Sequence, residues 1–173
     1  MEFPDFCQTI ASPALKAVAL HWHEARGARK MPAWQDIKPK AIAPYLPIVW
    51  CYRFDAATGE FIGRLAGDRI ARAYGKSFRG LPLVQAHASP ERFAVAYALF
   101  QRVISEPAIF RGRGRIFQQQ DRFQSGERIV LPLAGDGKAG DGVFGATETG
   151  NRPMIRDQPV EAFHDIGEWL SLK

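Results

Sequence analysis

Five β-prone runs, divided two and three by a proline-capped helix, constrain the fold of this chain more than any other feature. The first two are IVWCYRF, starting at Ile48, and EFIGRLA, ending at Ala66; the turn Asp55–Gly59 joins them as a hairpin. The later three are AIFRGRGRIFQ, ERIVLPLA and GVFGATE, joined as a meander by turns at Gln124–Gly126 and Gly135–Gly142. Between the groups lie a short helical piece around Asp68–Tyr74, stopped by Gly75, and a longer helix. Ser89 can cap the longer helix, Pro90 suits its first position, Pro107 lies beyond its end, and Phe93, Tyr97, Phe100 and Ile104 form its apolar stripe. This order predicts an α+β layer, a five-stranded antiparallel sheet with helices on one face.

A further helix precedes the sheet. Ser12 and Pro13 open it, Gly27 ends it, and Leu15, Val18, Trp22 and Ala25 recur at helical spacing. That stripe must be buried on its own domain or on a second copy. Leu15, Val18 and Trp22 are therefore expected as anchors of a homodimer interface. Residues 30–46 are proline-rich without a clear period and read as a connector. The chain divides into a flanking helix at 1–29, a sheet domain at 30–149 and a C-terminal tail at 150–173 with room for a short helix.

Composition narrows the class. With 173 residues, 46% hydrophobic and 24% charged, the chain suits one globular domain. Its net charge of +5 is spread among acidic residues, which argues against nucleic acid as a partner. Cys7 and Cys51 form neither a CxxC nor a ligand cluster. The start MEFPDF lacks the basic opening of a secretory signal, and no apolar run approaches the ~20 residues of a membrane span. A reducing cytoplasm is the expected setting, with no residues left for a separate effector domain.

The run YRFDAATGEFIGRLAGDRIARAYGKSFRGLPL resembles a bacterial family of stand-alone or short PAS proteins. Arg64, Leu65, Ala66 and Gly67 lead into a short helix with Arg69 and Ile70, followed by Gly75, Gly80 and Leu83. Ile129–Leu133 and the final V-F-G-A are similar to the family's closing strands, so the resemblance covers roughly residues 20–149. It implies a PAS-like sheet over a small internal cavity and a sensing role through a small ligand or a signalling partner. It names no cofactor. Neither cysteine lies where flavin photosensors of the family carry theirs, whereas His87 sits in the region from which haem-binding members use a histidine.

Alternation along the strands divides each into two faces. Phe61, Gly63 and Leu65 oppose Arg64, and Phe110, Gly112, Gly114 and Ile116 oppose Arg111, Arg113 and Arg115. Burying an unmatched guanidinium is costly, so the first set is expected to face the helices. Its glycines suggest room for a ligand lined by Phe61, Gly63, Leu65, Phe93, Tyr97, Phe110, Gly112, Gly114 and Ile116, unless Trp50, Tyr97 or Phe100 fills the gap. The three arginines, about 7 Å apart, form a candidate partner-binding stripe, or are matched by Glu127, Asp121 and Glu148.

Other chemistry falls short. His21 and His23 do not share a helix face, and no metal site is expected. Gly75-Lys76-Ser77 lacks the earlier P-loop glycine, since Ile70 stands there. GDGKAGDG lacks the acids of a calcium loop and reads as a turn. His164 lies in the tail without an obvious partner. No catalytic residue is assigned. The rival readings are a small enzyme using a PAS-like cavity, which requires a buried acid, base or histidine there, and a nucleic-acid binder using the arginine stripe.

Overall fold

A computed structural model of the chain describes residues 1–87, 89–119, 122–153 and 166–172, with side chains at all but 115–119, 122–124, 151–153 and 166. The described residues form four α-helices: α1 Phe3–Thr9, α2 Pro13–Arg26, α3 Asp68–Tyr74 and α4 Pro90–Ser105. Six strands, β1 Val49–Asp55, β2 Glu60–Ala66, β3 Ala108–Gln119, β4 Arg122–Leu133, β5 Gly142–Pro153 and β6 Ile166–Ser171, pair in the order β2-β1-β5-β4-β3-β6. Every pairing is antiparallel.

The expected α+β architecture is present, with three differences. The sheet has six strands among the described residues rather than five. The sixth comes from the tail, whose residues 166–171 pair with β3. Phe110 and Trp169, opposite each other in that pairing, bring their rings to 4.9 Å, and Leu170 is buried; these contacts fix the strand in place. His164 and Asp121 lie outside the described residues.

Helices cover both faces, not one. The caps form as read: the Ser12 and Ser89 hydroxyls accept hydrogen bonds from the amides of Leu15 and Arg92. On the first face α1, α2 and the connector pack Phe6, Leu15, Val18 and Trp22 against Val49, Ile129, Leu131 and Phe144. The indole N–H of Trp22 donates to the carbonyl of Pro132 at 2.9 Å, which satisfies its polar edge inside this layer. Leu15, Val18 and Trp22, expected as homodimer anchors, are thus fully buried within their own chain. On the second face α3, α4 and the segment between them cover Trp50, Tyr52, Phe61, Phe110 and Val130.

The third difference is a β-bulge. Cys51 pairs with Leu65 but Tyr52 pairs with Gly63, so Arg64 is an extra residue in β2. Past the bulge the alternation inverts, and Leu65 packs on the α2 face rather than with Phe61.

Candidate functional site

Small residues shape the second face. Gly63 does not leave a void: a Cβ there would lie 2.1 Å from the carbonyl oxygen of Phe78. The segment after α3 docks on this glycine, with the Gly63 amide donating to Leu81 O and the Gly80 amide donating to Gly63 O at 2.9 and 2.7 Å. The sharp change of direction before it needs Gly75, whose φ of 73° is left-handed. Gly145 on β5 acts similarly, because a Cβ there would meet the Trp50 indole at 2.3 Å. The indole therefore lies across β5, and its N–H donates to Thr147 Oγ1 at 2.9 Å.

These approaches enclose a cavity of about 30 Å³ between the sheet and α3–α4, room for roughly two water molecules. Ring pairs form its rigid sides: Trp50 stacks on Phe100 at 5.4 Å and Tyr52 on Phe78 at 4.9 Å. Its polar groups are Tyr52, Tyr74, His87, Arg128 and Thr147. Haem or flavin does not fit between these rings as they are packed.

The wall carries a distinct electrostatic signature. Burial, then the positive charges of Arg128 and Arg92, bring His87 down to about 4, so the imidazole is neutral at pH 7. Burial pushes the phenols of Tyr52 and Tyr74 up, while the same two arginines pull Tyr74 the other way. Two guanidinium groups thus act on one side of the cavity.

Of the nine residues read from alternation as ligand-lining, the eight with described side chains do not border this space. Phe61 instead meets Phe100 edge-on at 5.4 Å, and Tyr97 donates its hydroxyl proton to Gly59 O at 2.7 Å, away from the cavity. Phe93 rests on Tyr97, and Phe110 packs against Trp169. Gly112 and Gly114 lie opposite Arg128 and Gly126 in the β3–β4 ladder. The side chain of Ile116 lies outside the described residues. The cavity does lie beneath α4, with Trp50 and Phe100 in its walls and His87 at its edge. Trp50 and Tyr52 were within reach of alternation in β1. Arg128 was not, because an arginine in a strand reads as solvent-facing.

The arginine stripe is also redistributed. Arg111 does not face solvent: it is 4% exposed, donates to Glu127 at 2.7 Å and lies 3.6 Å from Glu168. Arg113 is half exposed with Nε 3.5 Å from Glu127. The side chain of Arg115 lies outside the described residues. Glu127 also accepts the backbone N–H groups of Ala11 and Ser12 at 2.8 to 3.1 Å, and Glu148 accepts the Ser12 hydroxyl. Burial alone would raise Glu127, yet these N–H groups and Arg111 hold it below the usual carboxylate range. The two carboxylates therefore clasp the junction between α1 and α2.

Among the described residues no three His, Cys, Asp or Glu gather to hold a metal ion. No described helix is long and apolar enough to cross a membrane. A family model described as PAS domain matches residues 10–148, which spans α2 through most of β5 and leaves out β6. No curated protein and no solved structure matches the chain.

Proposed function

The chain belongs to the PAS domain family, whose members are sensory and signalling modules, and we propose that it senses a small ligand in the cavity beneath α4 and signals through α1 and α2. The observation that carries this reading is the register of two neighbouring cross-strand pairs. Arg128 and Thr147 are paired across β4 and β5, and both border the cavity. The next pair, Glu127 and Glu148, holds the α1–α2 junction on the other face. A change in cavity packing that twists β4 against β5 therefore also moves the clasp. On this reading the chain acts by association and not by catalysis. The neutral His87 stands beside arginines and tyrosines, with no nucleophile paired to it among the described cavity-lining residues. Two free, buried thiols, Cys7 and Cys51, suit a reducing compartment such as the cytoplasm.

Thr147→Val tests the relay, because it removes the acceptor of the Trp50 indole without changing side-chain volume much. Hydrogen exchange should quicken in peptides covering residues 3–26 as well as in the cavity wall. Faster exchange confined to the wall would reject the relay.

A further inference from the structure

Resting on the cavity reading above, we infer that the site takes a compact anion of the carboxylate or nitrite kind. Size is the first argument. The cavity of about 30 Å³ suits a molecule of very few heavy atoms. Its stacked ring pairs cannot retreat without losing their contacts with α4 and the segment after α3.

Donor chemistry is the second argument. Arg128 borders the cavity, and a guanidinium carries five N–H donors, so it can hold an anion beside its existing contacts. Thr147 Oγ1 already accepts the Trp50 indole N–H, which leaves its own hydroxyl proton to donate inward. Tyr52 and Tyr74 add phenolic O–H groups in an environment that keeps both protonated at neutral pH. These donors and the rings border one small, partly enclosed space, where hydrogen bonds to an anion are stronger than in open solvent. A neutral solute of the same shape would use the same space but gain nothing from the guanidinium.

Formate and its neutral isostere formamide separate these possibilities in the full chain at pH 7. Formate at tenfold its dissociation constant should raise the thermal midpoint by about 3 °C, saturably and at constant ionic strength. Formamide should not. Arg128→Gln should abolish the formate shift. Arg79→Gln, which removes the same charge from an exposed position, should leave it unchanged. Should Arg128→Gln fold poorly, Arg128→Lys keeps the charge without the fork and should weaken binding by roughly tenfold. Equal shifts with formate and formamide would overturn the anion class while leaving the cavity as the site. A formate shift that survives Arg128→Gln or vanishes in Arg79→Gln would place the anion elsewhere and overturn the inference. If neither solute binds while Thr147→Val still loosens residues 3–26, the ligand class falls and the relay stands.

Discussion

One sheet is closed on its two faces by different means. Towards α1 and α2 it meets mostly aliphatic side chains, with Phe3, Phe6 and the Trp22 indole among them, and Leu15, Val18, Trp22, Ile129, Leu131 and Phe144 have no exposed surface. Towards α3 and α4 it meets rings, with Trp50, Tyr52, Phe61, Phe78 and Phe100 in contact face to face or edge to face. Aliphatic chains interdigitate; rings held by stacking geometry leave a gap where their edges diverge. Polar groups follow the same division. On the first face Glu127 is surrounded by donors at the margin of the apolar layer. On the second, Arg128, His87 and Thr147 border the gap itself. The first face is closed without a gap, and the second keeps the small cavity in which the proposed ligand would sit.

The largest expected effect breaks the dry face. Trp22→Ala removes a fully buried indole and its hydrogen bond to Pro132, and should cost about 3–5 kcal/mol in denaturant unfolding. A cost below about 1.5 kcal/mol would mean that α2 is not an integral part of the core.

Next is the clasp. Glu127→Gln leaves the buried Arg111 without its full counter-charge and should destabilise by about 3 kcal/mol. Because the native carboxyl lies below its ordinary value, its contribution is complete above about pH 4.3 and is lost as the pH falls further. The variant should therefore lose less stability than the wild type between pH 5 and pH 3. Parallel acid profiles would show that the clasp is not ionised in the way described.

His87 probes the second face. Its folded value of about 4 lies below 6.5, so the unfolded chain takes up the proton first and stability falls as the pH drops between them. From pH 7 to pH 5 the expected loss is about 2 kcal/mol. Urea titrations of wild type and His87→Asn at both pH values isolate this contribution, and an unchanged pH dependence in the variant would contradict the burial of the imidazole beside two guanidiniums.

Legibility in the sequence followed the range of the interactions. The hairpin, both long helices and their caps depend on residues a few positions apart, and Ser12, Pro13, Ser89 and Pro90 announced them correctly. Alternation also separated Arg111 from Phe110. It could not show that Arg111 meets Glu127 and Glu168 beneath a second helical layer, since those partners come from two other strands. The bulge at Arg64 hid the true face of Leu65 for a related reason. A single inserted residue leaves the hydrophobic pattern nearly intact while reversing its phase. The cavity was least legible. Its walls come from β1, α3, the segment after it, α4, β4 and β5, and Gly63 and Gly145 mark close approaches rather than empty space.

The smallest expected effect is the sharpest test of the contrast between the faces. Val18 and Val130 are both fully buried, one in the aliphatic layer and one at the cavity wall. Truncation of each to alanine removes the same atoms from water-free surroundings, so the transfer contribution is equal, about 1–1.5 kcal/mol. The remainder depends on how many neighbours each methyl touched. Val18 is enclosed by α2, the connector and the sheet, and Val18→Ala should leave a new void and cost about 2 kcal/mol. Val130 already borders open space, so Val130→Ala enlarges an existing cavity and should cost about 1 kcal/mol. The same substitution should enlarge the site, and xenon or formate should then stabilise Val130→Ala more than the wild type, with no such gain for Val18→Ala. Equal costs for the two truncations would mean that the ring-lined face is packed as tightly as the aliphatic one, and that the asymmetry on which the proposed sensing rests is absent.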